Sequence, residues 1–192
     1  METLVNRIAI ISARFLGRDD LADFMVAVQD NPSLEPSADA VLLATSVGIC
    51  CQEIAEEHFP IETNETITSD ESCKLNFSDF SFAVKKILAV KGSNGNETTF
   101  RTFDGFVKVC APNSNFEVYY EKIPEIAAIG ENVEHSAKVS ERILAYGACM
   151  HFCLCSLLYD EAKLWDARYH DALDELRVRD CGKKRLKRKW RI

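Results

Sequence analysis

Apolar residues recur at helical spacing in two blocks of the chain, separated by a stretch of shorter period. Leu4, Ile8, Ile11 and Phe15 stand three or four positions apart with Gly17 directly after them, which predicts a helix over 3–16. Leu21, Phe24, Met25 and Val28 repeat that spacing, predicting a second helix over 20–30, capped by Asp19 or Asp20 and stopped by Asn31 and Pro32. After the link NPSLEP, Ser37 caps a third predicted helix over 37–59. Its apolar stripe runs through Val41, Ala44, Thr45, Gly48, Cys51, Ile54, Ala55 and His58, with Glu53, Glu56 and Glu57 on the outer half.

Between 61 and 123 the period falls to two. The runs ETITSD, KLNF, VKKILAVKG, ETTFRTFDG, FVKVCAP and FEVYYEKI are each bounded by Gly, Asn, Asp or Pro and read as strands. SNGN at 93–96 and the pair Asp104-Gly105 are turn signals, so consecutive antiparallel hairpins are predicted. Helical spacing returns over 134–158 and again over 160–177, where Ala162, Trp165, Tyr169, Ala172, Leu173 and Leu176 share one face behind an Asp160 cap. The short join between these two makes them an antiparallel helical hairpin. The fold class is therefore α+β, mainly α: a helical bundle with an inserted antiparallel β module. Residues 1–176 read as a single domain, and 177–192 as a basic C-terminal arm.

Composition agrees with an ordinary globular chain. With 192 residues, 47% of them hydrophobic, the chain is long enough to bury a core without metal or disulfide staples. The opening METLVNRIAIISARF shows helical spacing instead of an unbroken apolar run before a small-residue cleavage site, so the chain is expected to stay inside a cell. The run from 143 to 158 is 16 residues and includes His151 and Ser156, short for a spanning helix, and no membrane partner is expected. The eight Cys then read as reduced, buried thiols.

Charge is distributed unevenly. Residues 177–192 (RVRDCGKKRLKRKWRI) hold nine basic residues and one Asp, a net of +8, which leaves −15 on the rest of a chain whose total is −7. Such an arm is built to meet phosphates or an acidic partner surface, whereas the body repels nucleic acid. Its binding residues are Lys183, Lys184, Arg185, Lys187, Arg188, Lys189 and Arg191, with Trp190 and Ile192 as apolar anchors.

Catalytic patterns are few. GSNGN is a hairpin turn with no following helix or Lys-Ser/Thr, so it makes no phosphate cradle, and no Gly-x-Ser-x-Gly elbow occurs. His58, His135, His151 and His170 include no pair at zinc-binding helical spacing. The acid pairs Asp19/Asp20 and Glu56/Glu57 and the group Asp171, Asp174 and Glu175 read as solvated helix faces. Cys149 and Cys153 lie four apart with His151 between them, the one arrangement that suggests a thiol or metal enzyme. His151 would project from another face, however, and the thiols read better as small side chains at a close helix crossing. The aromatic residues of the β segment read as core, because seven cations against nine acids make no electropositive base-stacking groove. The expectation is a protein that is not an enzyme and has no cofactor.

The order of elements carries a specific likeness. A strand FEVYYEKIP closing the β insertion, then a tyrosine-containing helix (ERILAYGACMHFCLCSLL), a short break, and Glu161, Ala162, Trp165 and Tyr169 in the pattern Glu-Ala-x-x-Trp-x-x-x-Tyr together resemble the head-tail connector (adaptor) proteins of tailed bacteriophages. The resemblance covers about residues 37–177. It implies a structural virion protein at the head–tail interface, present in the host cytoplasm during assembly. Such a protein forms a ring with copies of itself, usually a dodecamer, below the portal protein. The ring extends the channel through which double-stranded DNA passes and docks the tail or its stopper protein. It also implies that the arm from Lys183 to Ile192 reaches the portal or the DNA. The alternative is a nucleic-acid-associated helical protein that binds phosphates through the same arm.

Overall fold

The computed structural model describes residues 2–182. A short strand β1 (Glu2–Leu4) leads into helices α1 (Val5–Phe15), α2 (Asp19–Asp30) and α3 (Ala38–Glu53), the last widening into a π-helical turn (Ile54–His58). Strands β2 (Ile61–Thr68), β3 (Lys74–Asn76), β4 (Ala83–Gly92), β5 (Arg101–Phe103), β6 (Phe106–Lys108) and β7 (Asn115–Ile123) follow. Strand β8 (Asn132–Glu134) then pairs with β1 and precedes α4 (Glu141–Cys155) and α5 (Tyr159–Gly182). The class is α+β, with antiparallel sheets inserted between α3 and α4. The chain clusters into two compact units: a helical one, up to Cys51, Ile126–Val133 and from Ala137 on, and a β one, Gln52–Glu125 with Glu134–Ser136.

In the helical unit, α1 buries Val5, Ile8, Ala9, Ser12 and Ala13, while Leu4, Ile11 and Phe15 of the predicted stripe are half-buried. Asn6 is wholly buried and satisfied at both ends of its amide: Nδ2 donates to Met25 O (3.3 Å) and Oδ1 accepts from Gly130 N (2.8 Å). Helix α2 starts at Asp19 with no side-chain cap, contrary to the sequence expectation. Asp20 instead binds Arg18 through both oxygens (2.9 and 2.8 Å), and Arg18 also reaches Asp39 (2.9 Å). Ser37 does cap α3, its Oγ accepting from Ala40 N at 3.2 Å. Helix α3 is buried on nearly every side, including Leu43, Val47 and Cys50 outside the predicted stripe, whereas Val41 within that stripe is 46% exposed.

Two boundaries differ from the sequence expectation. The helix predicted from 134 begins at Glu141: Val133 and His135 are buried around half-buried Glu134, a period-two pattern, and the segment is strand before it is loop. Helix α5 runs on to Gly182, five residues past the predicted end, so Arg177 and Arg179 of the supposed arm are helical. The pairs Arg177–Asp174 (3.4 Å) and Arg179–Glu175 lie three and four residues apart and support that extension.

The β unit holds two three-stranded antiparallel sheets, in the orders β2-β7-β4 and β3-β6-β5. The Asp104-Gly105 turn joins β5 to β6 as predicted, with Phe103 opposite Phe106 and Gly105 at φ +85°. The SNGN turn folds back only as far as Thr98, whose N–H donates to Val90 O (2.8 Å); β5 then enters the other sheet, so the expected run of consecutive hairpins is broken there. Strand β7 takes the centre because Phe116, Val118, Tyr120 and Lys122 alternate inward while two neighbours flank it. Phe80 meets Tyr120 edge to face at 5.1 Å, placing these aromatic residues in the core with Ile87, Val90 and Val107. Burial and the hydrogen bond it donates to the Glu65 carboxylate push the Tyr120 phenol above its ordinary value.

The wide turn at the end of α3 is closed by a side chain. Phe59 N donates to Ile54 O (2.7 Å), and Lys85 Nζ donates to Ala55 O (3.2 Å) and to Glu56 O.

Candidate functional site

The residues that carry the connector resemblance serve mostly as scaffold. Ala162, Trp165 and Tyr169 stand on the buried face of α5. Trp165 stacks on Phe15 (5.8 Å) and Tyr146 (5.9 Å), and those two stack on each other at 5.3 Å, so α1, α4 and α5 share one aromatic layer. The Tyr169 hydroxyl lies 3.8 Å from Cys50 Sγ. Glu161 is exposed.

The tip of the α4–α5 hairpin is different in kind. Leu158 N donates to Cys153 O (2.8 Å) and Leu157 N to Leu154 O (3.2 Å), the paired closure that ends a helix with one residue in the left-handed region. Helix α1 ends by the same closure, Arg18 N to Ala13 O (2.9 Å) and Gly17 N to Arg14 O (3.2 Å), and there a glycine occupies the left-handed position at φ +69°. In the hairpin that position is Leu157, at φ +61°, and its side chain is 69% exposed. A left-handed leucine costs about 1–2 kcal/mol, and one exposed to this degree recovers little of that by burial. Leu154, Leu158 and Tyr159, its near neighbours along the chain, are exposed as well, which gives the tip an apolar character of the kind that marks protein–protein contact.

The thiols do not converge on chemistry. Cys149 and Cys153 are buried and His151 is half-buried on another face of α4. Cys149 Sγ donates to Ser12 O at 3.4 Å, and burial pushes its pKa up to about 12, as it does that of Cys51. Burial also raises Cys153. These thiols stay protonated near neutral pH. Among the described residues no three His, Cys, Asp or Glu side chains gather into a set that could hold a metal ion. Glu56 and Glu57 are exposed, and Asp174 and Glu175 are engaged by Arg177 and Arg179. By length and mean hydropathy (1.4) the stretch Ala38–His58 is long and apolar enough to cross a membrane, and 56% of its apolar window is buried. A core helix of this fold satisfies the same criteria.

A cleft of about 500 Å³ opens between the start of α4 and the end of α5. Its floor is Ile143, Tyr146, Ala172 and Leu176, and its rim carries Lys138, Ser140, Arg142 and Arg179, with Glu175 as the one acid among the described residues that line it. Arg142 is held in place from below: Nε donates to the Tyr146 hydroxyl at 2.6 Å and the guanidinium carbon lies 5.5 Å from the ring centroid. Nearby Glu141 is occupied by Arg7 at 2.9 Å. Sequence spacing gave no direct sign of this cluster, because Lys138 and Arg179 lie some forty residues apart and only the antiparallel hairpin unites them.

The residues predicted to bind a partner, Lys183, Lys184, Arg185, Lys187, Arg188, Lys189, Trp190, Arg191 and Ile192, lie outside the described residues. No protein-family model matches the chain, and no curated protein matches it significantly.

Proposed function

We propose that this chain is a structural virion protein, a head-tail connector that assembles as a ring below the portal of a tailed bacteriophage, extends its DNA channel and docks the tail or a stopper protein. The family reading rests on the resemblance of the β insertion and of the hairpin motif Glu161, Ala162, Trp165 and Tyr169. The observation that favours assembly over catalysis is the hairpin tip, where a strained Leu157 and its neighbours Leu154, Leu158 and Tyr159 stand exposed.

Quantitative mass spectrometry of phage particles purified from the source culture tests this directly. A connector is present at a fixed, low copy number close to that of the portal. Absence from intact virions overturns the reading.

A second reading, a nucleic-acid-associated protein that holds phosphates through its C-terminal arm, is favoured by the net charge of +8 on residues 177–192.

A further inference from the structure

We propose that the outer face of the small sheet β3-β6-β5 binds single-stranded nucleic acid, with bases stacked on Phe103 and Phe106 and phosphates on the cations beside them. The inference goes beyond the connector reading and uses no residue of the C-terminal arm.

Three features carry it. The first is register. Lys74 stands opposite Lys108 and Lys108 opposite Arg101, so three cations form one row across the three strands. Two residues along each strand, on the same face, Asn76, Phe106 and Phe103 form the next row. The other face carries Leu75 and Val107, both fully buried, which turns the cation and phenylalanine rows outward. Phe103 and Phe106, read as core from the sequence, therefore stand outside it: Phe103 is 45% exposed on edge strand β5 and Phe106 is half-buried. Like charges directly opposite on neighbouring strands weaken a sheet, so the cation row does not serve the fold.

The second feature is where the acids lie. Over 61–123 acids outnumber cations nine to seven, but that count averages over faces. Glu62, Glu65, Glu117 and Glu121 belong to the other sheet. Ion pairs among the described residues of the β unit join Lys85 to Glu121 and Lys122 to Glu134, and leave Lys74, Arg101 and Lys108 without a carboxylate. In the turn before β3, Asp70 accepts from the backbone N–H groups of Ser72 and Lys74 (2.8 Å each), and Glu71 is exposed beside it. Asp104, in the β5–β6 turn, and Asp79, which accepts from Asn76 Nδ2 at 3.3 Å, stand at the aromatic end. Cations at one end and rings at the other match a polymer with phosphates on one side and bases on the other.

The third is preorganisation. Phe103 and Phe106 stack at 5.0 Å with 15° between their planes, and Lys74 Nζ lies 4.6 Å from the Phe106 centroid. The rings are positioned before any ligand arrives, and exposed Phe103 has ring surface left for a base. Bases paired within a duplex present no such face, which selects the single strand.

The test follows the anisotropy of a fluorescent thymidine oligonucleotide of about 12 nucleotides, titrated with the full chain at rising salt. Phe103→Ala is expected to weaken binding about 5- to 150-fold with the salt slope unchanged. Lys74→Gln/Arg101→Gln/Lys108→Gln is expected to make the slope of log K against log salt shallower by about 2, at about 0.7 per phosphate on a single strand. Circular dichroism and melting check the fold of both variants. An oligonucleotide carrying 5-iodouracil, photocrosslinked to the native chain and mapped by mass spectrometry, should label the tryptic peptide that carries Phe103 and Phe106. Crosslinks confined to residues 183–192, or affinity and slope unchanged in both variants, refute the sheet and leave the arm reading standing. No binding at low salt refutes both. Tighter binding to duplex than to the single strand, indifferent to Phe103→Ala, overturns the proposal in favour of phosphate contact alone.

Discussion

Replacing Gly147 with Ala tests the packing of the helical unit at its tightest crossing. A Cβ built on Gly147 falls inside the contact distance of Cys50 Sγ and lies 3.0 Å from Cε2 and 3.2 Å from Cζ of Tyr169. Neither wall can retreat easily. Cys50 and Tyr169 are fully buried and lie against each other, one on α3 and one on α5. An added methyl group in a packed core costs about 1–3 kcal/mol, and simultaneous conflict with two walls puts this site near the upper end. Alanine returns about 1 kcal/mol of helix propensity, for a net loss of about 2 kcal/mol. For a chain of this size that lowers Tm by about 4–8 °C, which calorimetry or circular dichroism resolves easily. The double variant Gly147→Ala/Cys50→Ala makes the room that the methyl needs, so it should be more stable than the two single changes added together. A Gly147→Ala protein that melts at or above the native temperature refutes the crossing geometry. Strict additivity in the double variant refutes Cys50 as the obstructing wall.

Leu157→Gly relieves the left-handed leucine at some cost in unfolded-chain entropy, so it should raise Tm by about 2 °C and, under the proposed connector role, weaken attachment to the portal or tail; a lower Tm contradicts the strained geometry. Iodoacetamide mapping near pH 8 should label exposed Cys110 and Cys155 in the native protein, and buried Cys51 and Cys149 only after unfolding; native labelling of Cys149 at the rate of Cys155 contradicts the assignment. The same burial sets a pH dependence: Cys51 and Cys149 titrate near 12 when folded and near 9.0 when unfolded, so the unfolded chain loses its protons first. The stability from each thiol is complete below pH 9.0 and falls between pH 9.0 and 12, by at most about 1.4 kcal/mol per unit, and Cys51→Ala should flatten the alkaline limb of a urea-midpoint profile.

Much of the fold was legible where one period dominated. The face of α5 with Ala162, Trp165, Tyr169 and Leu173, and the Asp104-Gly105 hairpin, follow from spacing and turn chemistry alone. The buried face of α3 was not, because a helix that is apolar on most sides gives period analysis nothing to choose between, and Val41 was placed inside in error. The start of α4 was misplaced because the alternation around Glu134 is too short to outweigh the helical spacing that follows. Leu157 was invisible for a different reason: glycine or asparagine signals a left-handed helix end, and leucine does not. The cleft lay within reach. Folding the predicted hairpin back on itself about Leu158 already brings Arg142 beside Glu175 and Leu176, and only the extension of α5 to Arg179 was missing.

The central place of β7 has a consequence for how the chain is made. Strands β2 and β4 pair only with β7 in their sheet, and Ile61 finds its partner in Lys122. During synthesis at about 5–20 residues per second, β2 therefore waits roughly 3–12 s for the strand that completes it. Until then β2, and β4 from the time it is made, carry unpaired backbone edges. Translation speed across residues 69–115, more than any single side chain, then sets how long the nascent sheet is open to the wrong partner.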